Sequence, residues 1–320
     1  MIDYQWPSSF IKKTENKYKN SKRKNSLLLE EIENFFEEKV GFPCLLFPSA
    51  RASISAIIRY LKFDRSKLVY VDKFSSHCLF NTIGALTNVS SELKSSDLII
   101  YNHKWGLKKN SKKNYKYSIE DSVDSIILDK SAMFPNNSKF EIFSLPKIIG
   151  SVQGGLIFSR DTDFISFIKK EQKKNFNLGI YQSNQKFLDI KKRKDFNTWL
   201  YHETWNTYLD TNALQNIKNN LSNFELNKTI ILERLKRINE LYKNSYYSEG
   251  RIGPIFPIKF ALIKKSKKIE NFFLIRHHAR NLSNNQKFEK FLLIPLHFKI
   301  SNAKFNFYLN LIKTNLKSQN

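Results

Sequence analysis

Short apolar runs alternate with turns and helical patterns through the first half of this 320-residue chain, at Leu45–Phe47, Lys67–Asp72, Asp97–Tyr101, Tyr117–Asp121 and Phe140–Ser144. Each run is rich in Leu, Ile, Val, Phe and Tyr and has strand length. Parallel strands cannot be joined by tight hairpins and need a crossover, usually a helix. The alternation therefore predicts an α/β domain with a mostly parallel sheet covered by helices on both faces, three layers in all.

The flanking segments read differently. Residues 1–25 are polar and lysine-rich around Pro7 and read as a loosely ordered arm. From Ser26, taken as a cap, Leu27, Leu28, Ile32, Phe35, Phe36 and Val40 recur at helical spacing and stop at Gly41. A polar helix is expected from Phe164 to Asn177, and a long helical pattern runs through Leu221, Phe224 and Ile231. After Gly250 and Pro254, Ile255–Ile263 is strand-like, Ile269–Ala279 reads as a helix, and Phe291–Ile294 reads as a strand. A last amphipathic helix, Phe305–Leu316, follows a Ser301 cap. The expected division is an arm (1–25), a large domain (26–220), and a linking helix with a small α+β domain (221–320).

Composition excludes several classes. With 41% hydrophobic and 14% aromatic residues the chain is expected to pack a core. It has no apolar run of about 18 residues, so no membrane span is expected. The first residues, Met1-Ile-Asp-Tyr-Gln-Trp-Pro, lack a basic flank and apolar core, so no signal peptide is expected. Cys44 and Cys78 form no CxxC pair, which points away from a metal site or disulfide framework and toward a reducing cytoplasm. The net charge of +25 raises nucleic-acid binding as a class. The lysines are scattered, however, and no RNP pattern, zinc spacing or P-loop accompanies them, so the reading is a solvated basic surface able to attract an anionic substrate.

The chemistry concentrates in a few places. In Phe140-Glu-Ile-Phe-Ser144-Leu-Pro-Lys147-Ile-Ile-Gly-Ser-Val-Gln-Gly154-Gly155-Leu-Ile-Phe158, a tight loop between two strands carries one lysine. Such a lysine can form a Schiff base with an aldehyde cofactor, and the serine beside it can bind a phosphate oxygen. Leu45-Leu-Phe-Pro-Ser49-Ala50-Arg51-Ala52 enters a helix through small residues, and free N–H groups at a helix start make an anion site. His77 follows the second strand, and His103-Lys-Trp-Gly106 follows the third. Ile119-Glu120-Asp121-Ser122-Val123-Asp124 ends the fourth, and Pro295-Leu-His297 lies near the C-terminus.

Taken in this order, from about residue 26 to 318, these segments resemble the DegT/DnrJ/EryC1/StrS family of sugar aminotransferases. These are pyridoxal-phosphate (PLP) enzymes of the type I, aspartate-aminotransferase fold. The resemblance implies a PLP-binding large domain, a small C-terminal α+β domain and a homodimer. It implies that Lys147 is the catalytic lysine and that Asp121 keeps the pyridine nitrogen protonated, which makes the ring an electron sink. Ser49, Ala50, Arg51 and Ser144 would hold the phosphate, His77 (or else Phe74) would stack on the ring, and Asn212 would reach the neighbouring subunit's phosphate. Asp124 takes the place of the family's Gln or His near the ring oxygen, and Ala50 and Val123 are further departures. The implied substrates are a nucleotide-linked keto sugar and an amino donor such as glutamate, in amino-sugar or surface-polysaccharide synthesis. Two alternatives stay open: a degenerate homologue that binds or scaffolds without transaminating, and a basic nucleic-acid-binding protein.

Overall fold

Successive residues of β1 (Cys44–Phe47) alternate between two cores: Cys44 and Leu46 enter one, Leu45 and Phe47 the other. Further along the chain, in β8 (Gly155–Ser159), Leu156 and Phe158 face the first core and Ile157 the second. A strand apolar on both sides must be covered on both faces, which produces the three layers. The computed structural model describes residues 6–7, 22–72, 75–111, 113–174, 207–241, 250–259, 262, 275–278 and 289–315.

The central sheet has seven strands. Besides β1 and β8 they are β2 (Leu68–Val71), β3 (Asn88–Ser90), β4 (Leu98–Asn102), β5 (Ser118–Asp121) and β7 (Phe140–Ser144), in the order β1-β8-β7-β5-β4-β2-β3. The run from β3 to β7 is parallel, while β8 pairs antiparallel with both β7 and β1. The mostly parallel α/β reading therefore holds.

On one face lie α2 (Ala50–Tyr60), α3 (His77–Gly84) and α5 (Thr162–Lys174), burying Ile54, Ile57, Ile58, Leu79, Ile83, Phe164 and Ile168 against the sheet. The other face is covered by α1 (Lys22–Val40), α6 (Thr211–Asn219) and α7 (Asn223–Leu241). The seam of α1, Leu28, Ile32, Phe36 and Val40, is buried, and each such side chain contributes about 1.5–3 kcal/mol. This helix begins a turn before Ser26, whose hydroxyl donates to the Lys22 carbonyl inside the helix instead of capping it. Buried Asn25, bonded to Thr211, extends the packed face and explains the earlier start. The long helical pattern of residues 211–241 divides into α6 and α7 at a turn around Asn220.

A three-stranded antiparallel sheet follows, β10 (Ile255–Lys259), β12 (Glu289–Pro295) and β11 (Ile275–His278) in the order β10-β12-β11, and α8 (Asn302–Asn315) closes the chain. The Ser301 hydroxyl accepts from the Lys304 N–H, so that cap is present. Ile275–His278 corrects the expectation of a helix over 269–279. Its backbone pairs with Glu289–Leu292, and ladder formation overrides the helical spacing of nearby apolar residues. The rest of that stretch lies outside the described residues. Two short strands, β6 (Ile126–Ile127) and β9 (Arg251–Ile252), pair with each other and tie the end of the large sheet to the C-terminal segment.

Candidate active site

In open α/β sheets, ligands bind beyond the carboxyl ends of the parallel strands. There β5 ends at Asp121 and β7 at Ser144. After Ser144 the chain makes one helical turn, α4 (Leu145–Ile148), with a proline in its first turn, and Lys147 lies on this turn. The Leu145 N–H bonds the Gly154 carbonyl and the Gly154 N–H bonds the Pro48 carbonyl, so the lysine turn is laced to the entrance of α2.

Gly155 brings the two phosphate-site candidates together. It pairs with Ser144 on one side and Phe47 on the other. A Cβ on Gly155 would lie 2.3 Å from the Ala50 nitrogen and the Ser49 carbonyl carbon, so only glycine allows this approach. Ser49 is the N-cap of α2, its hydroxyl accepting from the Ala52 N–H at 3.2 Å. Ser49 and Ala50 are half-buried, Arg51 is buried, and the half-buried Ser144 makes no side-chain cap bond of its own.

Lys147 Nζ donates to Asp124 Oδ1 at 2.5 Å, and the other Asp124 oxygen faces the Trp105 N–H at 3.4 Å. The lysine side chain is 26% exposed and Asp124 12%. Burial pushes the ammonium down, but Asp124 first, then Cys78 and Asp121, hold it above its ordinary value. Asp121 is buried, and the Val123 N–H at 3.3 Å is the one hydrogen-bond donor to its side chain among the described residues. Burial, then repulsion from Asp124, pushes its carboxyl up to about 7.

This arrangement fits pyridoxal phosphate at three points. A buried carboxyl poorly supplied with donors suits a cationic ring N–H. A helix start opened by a bare glycine suits a phosphate. An amine, Lys147, lies close to the carboxyls in space. Asp124, the residue that departs from the family's Gln or His, has the lysine amine as its partner here.

The other candidates are placed less closely. His77 opens α3, with nothing described of its side chain, and Phe74 lies outside the described residues. Asn212 is half-buried in the first turn of α6, a helix joined to the lysine loop by Asn216 Oδ1 accepting from the Val152 N–H.

A family model described as "Putative PLP-dependent aminotransferase" matches residues 32–316. The chain belongs to that family. It is a PLP-dependent aminotransferase, and the resemblance to the DegT/DnrJ/EryC1/StrS enzymes is borne out at the level of the fold. Among solved structures, it is similar to the aminotransferase TlmJ from Streptoalloteichus hindustanus (TM-score 0.64, 12% identity, 90% of each chain covered). A DegT DnrJ EryC1 StrS aminotransferase from Brucella abortus gives a TM-score of 0.61 at 12% identity, again over 90% of each chain. DesI, solved in the presence of its TDP-sugar product, gives 0.61 at 10% identity, covering 90% of this chain and 84% of its own. At these identities the likeness shows the shared fold. No curated protein matches the chain.

Sequence reasoning missed three features in and beside the candidate site. Trp6, in the supposedly loose arm, lies over Lys147, with the ring centroid 4.4 Å from Nζ. An aromatic followed by proline in a lysine-rich stretch was the available signal. Cys78, the second residue of α3, is among the groups that hold the Lys147 ammonium above its ordinary value. Glu120 was passed over beside Asp121, yet strand alternation sends it to the opposite face, into a network of its own.

Proposed function

We propose that this aminotransferase moves an amino group from a donor such as glutamate onto a keto sugar carried by a nucleotide. The observation that supports the reading best is the Lys147 amine held at the strand ends beside Asp121 and Asp124. DesI, which shares the fold, was solved with a TDP-sugar product, and the strongly basic surface favours an anionic substrate.

Bound pyridoxal phosphate supplies an electron sink that lets the hydrogen beside an amine leave as a proton. Lys147 then serves as general base and acid, taking that proton at Nζ and returning it. Asp124, in contact with Nζ, steers the amine and stabilises its charged form. Asp121 holds positive charge at the ring nitrogen. The Ser49 and Ser144 hydroxyls and the N–H groups of Ala50 and Arg51 bind the phosphate, and His77 stacks on the ring. Asn212 reaches the neighbouring subunit of a homodimer. The division at residues 25 and 220, a cytoplasmic location and a place in amino-sugar or surface-polysaccharide synthesis belong to the same proposal.

The degenerate-homologue reading has one observation in its favour, the tight Asp124 contact that ties up Lys147. Incubation with pyridoxal phosphate, glutamate and a panel of nucleotide keto sugars separates the two. The proposal expects 2-oxoglutarate and an aminated sugar nucleotide by mass spectrometry. If 2-oxoglutarate forms but no sugar is aminated, the substrate class is wrong. If neither forms, the degenerate reading replaces it.

A further inference from the structure

The N-terminal arm delivers one aromatic residue to the amine. The Trp6 ring lies 4.4 Å from Lys147 Nζ, within the range where an indole face attracts an ammonium. It is half-buried and packs against the cluster of Trp105, Ile255, Phe291 and Leu293. Within that cluster the Trp105 and Phe291 rings are 4.8 Å apart in an edge-to-face arrangement. The next residue, Pro7, is buried and seats the Trp6–Pro7 pair on the loop leaving α4. Gly150 there has φ +74, and a Cβ would lie 2.1 Å from the Pro7 carbonyl oxygen, so glycine is what admits Pro7. The Trp105 backbone N–H also bonds Asp124, so the aromatic cluster and the lysine's carboxylate partner are joined.

We propose that Trp6 is an active-site residue: its indole, backed by the buried rings of Trp105 and Phe291, caps the Lys147 amine and forms the wall against which the acceptor's ring lies. The proposal rests on Lys147 being the reacting amine, as in the function proposed above. The ring covers Nζ on one side, excludes water there, and supplies an electron-rich face that no aliphatic side chain replaces. Any acceptor that brings its carbonyl carbon to the amine's neighbourhood meets this face. Substrate selection thereby depends on a residue from the first few positions of the chain.

The test uses the full-length protein carrying Trp6→Leu, Trp6→Ala or Trp6→Phe, each checked by its melting temperature. Cofactor-free protein is labelled with acetic anhydride at about pH 8 and the Lys147 peptide followed by mass spectrometry. The Leu and Ala variants should label about fivefold faster than wild type, and Phe should restore nearly the wild-type rate. With cofactor, glutamate and a nucleotide keto sugar, the same two variants should raise the acceptor's KM by about tenfold, with kcat changed much less. A wild-type labelling rate in all three variants overturns the cap, and an unchanged acceptor KM overturns the wall. Labelling needs neither cofactor nor sugar. Faster labelling without any aminated product would therefore sink the proposed function while leaving the Trp6 contact standing.

Discussion

Glu120 and Asp121 are neighbours on β5 with opposite circumstances. Glu120 faces a dry layer in which the His103 ring, the Asn136 backbone and side chain, and the Ser138 hydroxyl all donate to its carboxylate. His103 Nδ1 accepts from the Lys109 N–H, which leaves Nε2 carrying the hydrogen toward Glu120. Burial raises the Glu120 carboxyl, but the His103, Asn136 and Ser138 bonds outweigh it and hold it below its ordinary value. Asp121, one residue on, points the other way, meets one long backbone contact, and is pushed up to about 7. Both are buried; only one is satisfied. A fully bonded buried carboxylate belongs to the scaffold, whereas one left short of donors belongs to a ligand.

The largest effect should come from breaking the satisfied side. On the strand next to Glu120, Glu141 receives the Arg251 guanidinium at 2.8 Å, the Ser122 hydroxyl at 2.5 Å and the Phe134 N–H at 2.6 Å. Arg251 is essentially inaccessible and also bonds the Ala132 carbonyl and the Ser122 hydroxyl. Arg251→Ala strands a buried carboxylate and should cost about 3–5 kcal/mol in urea unfolding. A loss below about 1 kcal/mol would remove this layer from the account of stability.

Asp121→Asn sharpens the comparison from the other side. A carboxyl whose folded value is raised from 3.8 to about 7 stays protonated in the native state while the unfolded chain ionises. Stability of the cofactor-free protein therefore falls as pH rises between those values and then levels off. The asparagine variant lacks that loss and should be about 1–3 kcal/mol more stable than wild type near pH 8, with equal stability near pH 4. The gain should come with a transaminase rate at least about a hundredfold lower, because in the proposed function Asp121 is the counter-ion of the ring nitrogen. Denaturation curves at the two pH values decide it, and a variant less stable at the higher pH counts against the reading of Asp121.

The smallest effect is expected at the surface. The Lys218–Glu31 pair joins α6 to α1 at 2.7 Å with both side chains well exposed, and Lys218→Ala should cost under about 1 kcal/mol. A larger loss in thermal melts would mean that α6 docking depends on charge more than on Ala213, Leu214 and Ile217 in the core.

Local pattern in the sequence makes part of this readable. Strand runs such as Leu98–Asn102 and the alternating faces of β1 follow from apolar patterning, and Lys147 and Asp121 stand in motifs whose chemistry is specific. The contacts that were not readable join distant segments. Trp6 reaches Lys147 through a loop seat at Gly150, and Asp124 bonds the lysine because the fold sets the segments after β5 and β7 side by side. Ile275–His278 became a strand because β12 offered a ladder, which no local spacing announces. Glu120 and Asp121 are adjacent acids in the sequence, and only strand geometry separates their roles.

The most direct test is an absorbance spectrum of the purified protein with added pyridoxal phosphate, followed by borohydride and peptide mapping, with Lys147→Ala beside it. The account predicts a new band near the visible edge that borohydride abolishes, leaving the cofactor fixed to the peptide that carries Lys147. Absence of the band, or the same band in Lys147→Ala, would contradict the central place given to this lysine.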